Sequence, residues 1–344
     1  MKKPANEIID PSLRPDRRTL LLSAGAILGV AALALLFIAS YGGALHQPKP
    51  HGVPVSVARG VPPKVIAGLE AGGSLDLTMV DDRAAALDRI NKRGSYGALV
   101  PAGRRLQMVV APAASAAIAD FLTGDVVPGL RKQGVPVTVE TVHPLPDSDT
   151  RGLVGFYTVV GWAIAGYLGA TLFGLVFGTS PGVSRVAWRF AALATLGLLV
   201  GLGGAGIATG LAGYDHGFIE IALIGFLTVM ATGTITVALQ QFLGILGTGV
   251  AILVFVVFGN PAAGGAYATE LLPGIWRTLG PLTPAGAATS AVRDAAYFPD
   301  ASLWPTLLVL LAWIAVGVVA ALIAGRKGPG ISEEAEKASL AGVA

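Results

Sequence analysis

The sequence predicts a mainly α, polytopic membrane protein: six transmembrane helices with a small external α/β domain between spans one and two. Three observations carry this. Of 344 residues, 53% are hydrophobic and 13% charged, about half the roughly 25% charge of a soluble globular chain. Six uninterrupted apolar stretches hold a single charged residue, Glu220. Between the first two stretches, short strand and helix signals alternate. This composition excludes an ordinary soluble enzyme, a disordered chain and a nucleic-acid-binding domain. The chain has no cysteine, which removes disulfides, thiolate metal sites and thiol nucleophiles.

The elements follow in order. Residues 1–18 form a cytoplasmic tail with Lys2, Lys3, Arg14, Arg17 and Arg18. Residues 19–41 are the first span, since a helix needs about 20 apolar residues to cross the hydrocarbon core. A cleavable signal has an apolar core of about 7–15 residues. Thr19–Tyr41 exceeds that and reads as a retained anchor. Residues 42–153 are the external domain, entered through a stalk with Pro48, Pro50 and Pro54. Val55–Val57, Leu75–Val80, Tyr96–Val100, Leu106–Ala111 and Val135–Val142 read as strands, rich in β-branched residues. Pro62–Ala71 and Pro112–Lys132 read as helix. Asp81 or Asp82 caps a third helical segment that runs to Arg93.

Residues 154–324 form a five-helix transmembrane domain: Val154–Thr179, Phe190–Ala212, Phe218–Leu239, Phe242–Gly259 and Leu303–Ala324. An external re-entrant hairpin at 260–302 interrupts it, with helical pieces at Tyr267–Leu272 and Pro284–Tyr297. Backbone of that kind is tolerated where protein or a water-filled cavity covers it. Trp276, Tyr297 and Trp304 read as interfacial anchors. Residues 325–344 are a second cytoplasmic tail. The basic clusters before span one, at Arg185 and Arg189, and at Arg326 and Lys327 all fall on one side, which the positive-inside bias assigns to the cytoplasm.

Candidate chemistry is sparse. His46, His51 and His143 are too scattered for metal-ligand spacing. Asp81–Asp82 reads as a helix start, and Asp147–Asp149 as a solvated loop. No serine of the external domain stands in a Gly-x-Ser-x-Gly setting, so the domain reads as a binding or gating element. The spans contain no His-Glu-x-x-His, paired Asp or Ser/Lys constellation, so no enzyme activity and no cofactor is expected. Glu220, the one charge within a span, is the candidate transport-path residue, because an ionisable group at membrane depth implies function. It lies one turn from the outer end, beside Asp215 and His216, within reach of interfacial water. Gln240 and Gln241 read as a tight cytoplasmic turn. Gly174/Gly178, Gly197/Gly201 and Gly206/Gly210 stand four apart, a spacing that lets helix backbones approach. Packing within the chain's own bundle is the expected use, and a dimer seam the other.

The order of parts resembles the ABC-2-type transporter permeases, including their phage-infection-protein-like members. Asp81–Gly103 (DDRAAALDRINKRGSYGALVPAG) resembles that family's external segment, and Leu271–Phe298 its hairpin before the last span. Thr306–Gly317 is similar to the last span itself. The resemblance covers nearly the whole chain and implies export of a hydrophobic or amphipathic molecule. It implies a partner too: a separate nucleotide-binding ATPase subunit, since this chain has no Gly-x-x-x-x-Gly-Lys-[Ser/Thr] loop. A homodimer or heterodimer of permease chains in the lipid bilayer is also implied, with no nucleic acid. The segment Ser180–Arg189 stands where the ATPase would couple, with Arg185, Trp188 and Arg189 as candidate coupling residues. Pro4, Pro11 and Pro15 interrupt residues 1–18, where such permeases carry an amphipathic helix. The rival reading is an ATP-independent envelope membrane protein whose external domain binds a ligand or partner.

The topology has a direct test. Reporters fused at residues 1 and 344 should both report cytoplasm, and an alkaline-phosphatase fusion near Gly103 should be active outside. An external C-terminus would overturn the six-span arrangement.

Overall fold

The computed structural model describes residues 16–179 and 182–326. Most of the two predicted tails, together with Ser180 and Pro181, lies outside the described residues. Helix α1 (Arg17–Leu45) starts on Asp16, whose carboxylate accepts from the Thr19 N–H at 2.8 Å. It runs past the predicted end at Tyr41 and takes four residues from the predicted stalk. Gly42-Gly43 reads as a stop. The Trp276 ring, however, lies against Gly43, 3.1 Å from where a Cβ would stand, and Trp276 Nε1 meets Ser40 Oγ at 3.3 Å. Tertiary packing carries the helix through its glycines.

The α/β domain comprises β1 (Val53–Ala58), α2 (Pro63–Ala71), β2 (Leu75–Val80), α3 (Arg83–Asn91), β3 (Gly97–Ala102) and β4 (Arg105–Val110). It closes with α4 (Ala116–Phe121), a π-helical turn at Leu122–Val126, α5 (Val127–Lys132) and β5 (Val137–Thr141). The sheet order is β2-β1-β3-β4-β5, with β1 parallel to β2 and β3, β4 antiparallel to β3, and β5 parallel to β4. Parallel neighbours need crossovers, which α2, α3 and the α4–α5 run supply. Asp82 caps α3 through the Ala85 N–H at 2.8 Å. Val55, Val57, Leu99 and Met108 pack on Val65, Ile118 and Leu130 on one face, whereas Ala98, Val100 and Val109 pack on Ala86 and Ile90 on the other.

Neither face is complete without the distant segment 260–302. Ala268 and Leu271 sit in the first core, and Phe298 in the second. The stalk also pairs with that segment, Lys49 N–H to the Leu271 carbonyl and His51 N–H to that of Glu270. Asp149 is buried, and its carboxylate accepts from the Leu153 and Val154 N–H groups. It caps the next helix, so Asp147–Asp149 is not simply a solvated loop.

That helix is α6 (Val154–Phe177), followed by α7 (Val183–Ala212) and α8 (Phe218–Leu243). The predicted fifth span, Phe242–Gly259, is divided. Phe242 and Leu243 finish α8, Gly244 turns the chain with φ 58°, and a shorter apolar helix follows. It comprises α9 (Leu246–Ile252), a π-helical stretch Leu253–Gly259 and α10 (Asn260–Ala262). At about 1.5 Å per residue it spans roughly 25 Å, short of a hydrocarbon core about 30 Å thick. Next come a 3₁₀ turn at Thr269–Leu271 in place of the predicted helix 267–272, then α11 (Gly274–Leu279), α12 (Pro284–Tyr297) and α13 (Trp304–Arg326). In all, five helices among the described residues are long and apolar enough to cross a membrane: α1, α6, α7, α8 and α13. This fits a membrane protein. Helix α7 starts at Val183 instead of Phe190, because Arg185 faces outward and Arg189 turns into the bundle without ending the helix.

Helix α8 is the centre of the bundle, flanked by α6, α7, α9, α13 and, towards its start, α12. Glycines make these contacts close. Gly166 of α6 faces Thr232 and the Val229 carbonyl, Gly197 and Gly201 of α7 face Phe226 and the Ala222 carbonyl, and Gly317 of α13 faces Thr234. Gly206 and Gly210 have nothing within 4 Å, so the glycine row of α7 splits between an inner and an outer face. A Cβ at Gly201 would stand 2.6 Å from the Ala222 carbonyl oxygen. Gly201→Leu should therefore cost at least about 1–3 kcal/mol by overpacking, read as a lower melting temperature in detergent. Gly206→Leu should leave that temperature unchanged, and equal losses at both would overturn this assignment of faces.

Candidate functional site

The functional geometry begins where α3 ends. Arg93 N–H bonds the Ile90 carbonyl and Gly94 N–H that of Arg89, a Schellman closure with Arg93 at the left-handed position usually held by glycine. Arg93 (φ 55°) and His143 (φ 44°) are the non-glycine residues with positive φ among those described. Both lie where the α/β domain meets segment 260–302, and residues held in such conformations cluster at functional sites.

The left-handed turn aims Arg93 at α12. Its Nη1 meets Asp294 Oδ1 at 2.5 Å, Ser290 Oγ at 3.1 Å and the Ser290 carbonyl at 3.2 Å. Its guanidinium lies over the Phe298 ring, 5.7 Å from the centroid. The paired side chains are only 14% and 8% exposed. Desolvation pushes the Asp294 carboxyl above the usual carboxylate range, while Arg93 pulls the other way. Nearby, Tyr96 donates to Glu270 at 2.8 Å, and burial beside Glu270 raises the phenol. Arg293 reaches the Gly264 carbonyl, and desolvation with Arg93 beside it pushes its guanidinium down to about 10. The His143 ring lies 4.6 Å from that of Phe298 and its Nε2 is 2.9 Å from Asn91 Oδ1; burial lowers its pKa. A cavity of about 390 Å³ opens beside it, lined by His143, Tyr214, Asp215, His216 and Tyr297. This seam is a clamp: it holds the α/β domain on α12, and the α8 start at Gly217 lies against the Ala295 carbonyl of α12.

A second feature lies in the bundle. Between α6 and α7 a groove of about 560 Å³ opens sideways, lined mainly by apolar groups including Tyr157, Trp162, Leu199 and Ile207. Gly161 and Gly203 border it with nothing within 4 Å. The Trp162 ring forms its floor, slotted against Gly204 and Gly225, with Nε1 donating to the Val200 carbonyl at 2.7 Å.

The sequence-derived candidates are not brought together. Glu220 is exposed on the first turn of α8 and faces no interior path. Arg185 and Trp188, three residues apart, share an exposed face of α7, where Trp188 is 64% exposed. Arg189 is fully buried. It donates to the Ala170 carbonyl of α6 at 2.9 Å and to Gln240 of α8, so it holds three helix ends together and offers no docking surface. Gln240 is correspondingly buried at the end of α8, donating to Thr171 and Thr248, and does not form the turn. Sequence reading missed Arg93, Asp294 and Glu270. The available signal was Arg293-Asp294, two charges inside the Ala-rich run Pro284–Tyr297.

No protein-family model, curated protein or solved structure matches this chain.

Breaking one side of a buried ion pair strands the other charge, at a cost of about 3–5 kcal/mol. Arg93→Ala and Asp294→Ala should each lower the unfolding midpoint strongly, whereas Arg93→Met with Asp294→Leu should regain most of it. A double variant as unstable as the summed singles would remove the pair as the seam's anchor.

Proposed function

We propose that this chain is the membrane subunit of an ABC-2-like exporter, moving a hydrophobic or amphipathic molecule with energy from a separate ATPase subunit. The observation that carries the reading is the lateral groove between α6 and α7. A hydrated ion needs polar groups to replace its water. This groove offers mainly apolar walls; of its polar side chains, the Trp162 N–H and the Thr158 hydroxyl are already spent on backbone carbonyls, which leaves the Tyr157 phenol. An acyl or other apolar tail can enter sideways, without leaving the hydrocarbon, and keep its polar end at the surface.

The rest of the reading follows from the parts around the groove. Both termini lie in the cytoplasm of a cell-membrane protein, and six segments cross or enter the bilayer. ATP hydrolysis takes place on a partner, since residues 1–344 contain no phosphate-binding loop. Arg185 and Trp188, exposed on the first turns of α7, are where that partner docks. Helix α7 also forms one wall of the groove, so force applied at its start acts on the substrate path. The working assembly is a dimer of permease chains.

Inside-out membrane vesicles from cells that make the protein test this, with an NBD-labelled phospholipid as probe. Gly203→Phe fills the groove from a position with free space around it and improves helix propensity, so the protein should insert normally. ATP-dependent movement of the probe should fall at least tenfold. Arg185→Glu should abolish the ATP dependence alone. Wild-type transport in both variants would reject the export reading and favour an envelope protein that works through its α/β domain.

A further inference from the structure

The α/β domain has a second concavity, at the end of its sheet away from the bundle. The seam takes the starts of β1 and β3: His51 before β1 and Tyr96 before β3 both bond Glu270. At the opposite end, just past Ala58 and Pro101, a cavity of about 660 Å³ opens among Gly60, Lys64, Gly103, Arg104, Arg105 and Gln133. From β1 the chain crosses to β2 on one side, and β3 joins on the other. The cavity therefore stands beyond the carboxyl ends of two parallel strands at the point where strand order reverses. In open α/β sheets ligands bind in that crevice.

Charge gives the ligand class. Elsewhere in the domain Arg59 pairs with Asp81, Arg83 with Glu140, Lys92 with Asp88 and Arg93 with Asp294, and Arg89 and Arg131 donate to backbone carbonyls. Lys49, Lys132 and Arg151 form no salt bridge among the described residues but line no common cavity with one another. Lys64, Arg104 and Arg105 have no carboxylate partner among the described residues, and all three border this one cavity. Lys64 lies in the first turn of α2, where the helix dipole adds positive potential. Gly60, Gly103 and Gly134 keep positive φ around the rim, leaving backbone close to the mouth with no side chains in the way. The volume falls within the about 300–1,000 Å³ typical of small-molecule sites.

We infer that this crevice binds a water-soluble small molecule carrying a phosphate or carboxylate group. Because it opens away from the bundle, its ligand comes from the aqueous phase and not from the bilayer. The inference does not depend on the export reading, since it is read by binding and not by transport.

Purified full-length protein in phosphatidylcholine nanodiscs can be titrated calorimetrically with inorganic phosphate, glycerol 3-phosphate and citrate. At least one should bind saturably, and Lys64→Gln/Arg104→Gln/Arg105→Gln should weaken it at least tenfold. Gln133→Trp blocks the crevice without altering charge and should weaken it to the same degree, whereas Lys92→Gln should have no effect. All of these positions are exposed, and circular dichroism checks that each variant folds. No saturable binding of any probe, or wild-type affinity in either crevice variant, would overturn the site. Retention in Gln133→Trp alone would reduce it to nonspecific charge attraction.

Discussion

Arg93 reaches across 201 positions of sequence to Asp294, and much of the molecule is organised by that contact. The pair is buried where the α/β domain meets α12, so it exists only if both sides arrive in register. Around it, Phe298 and Leu271 complete the two faces of the sheet. The domain cannot close its own core from residues 42–153 alone. It borrows apolar side chains from a segment made more than a hundred residues later, and the cost of closing so long a loop grows only slowly with length. What looks in sequence like a module inserted between two spans is physically one body with the hairpin.

That body ends on α8, and α8 explains the bundle. Its buried threonines return their hydroxyls to their own backbone: Thr228 to Ile224, Thr232 to Thr228 and Thr236 to Thr232. Once so satisfied, a threonine packs as a small residue. Glycines on α6, α7 and α13 then bring backbones against it, the arrangement expected where lipid gives no hydrophobic push between helices. Such contacts leave little internal space, so the large groove of this bundle lies between α6 and α7, at their lipid-facing side.

Much of the secondary structure was legible because its signals are local. Runs rich in β-branched residues marked the strands, Asp81-Asp82 marked the start of α3, and Pro284 marked α12, which begins where expected. Glycine spacing revealed that backbones approach, but not which side of α7 they approach from: Gly201 faces α8 and Gly206 faces outward. Helix limits were misread where composition stood in for hydrogen bonding. Helix α7 runs on through Arg185 and Arg189 because a charge can face solvent or be held by polar partners, and neither ends a helix. The seam was invisible for another reason. Nothing in Arg93 or Asp294 taken singly shows that the two meet, because register between distant segments is a property of the packed whole.

The arginines at the two ends of the bundle also locate its stiffness. At one end Arg93 fixes α12, against which α8 begins. At the other, Arg189 joins Ala170 of α6 to Gln240 of α8. Between them the glycine contacts hold α8 to three neighbours with little free volume, and close-packed interfaces of this kind do not deform gradually. The contact between α6 and α7 beside the groove differs. There Trp162 bridges the two helices, with its indole N–H on Val200 and its ring against Gly204 of α7 and Gly225 of α8, and a Cβ at Gly161, Gly203 or Gly206 would meet nothing within 4 Å. Beside the groove α6 and α7 are therefore packed more loosely than either is packed on α8, although Arg189 on the Ala170 carbonyl and Leu196 against Gly169 still join the two helices nearer the other end.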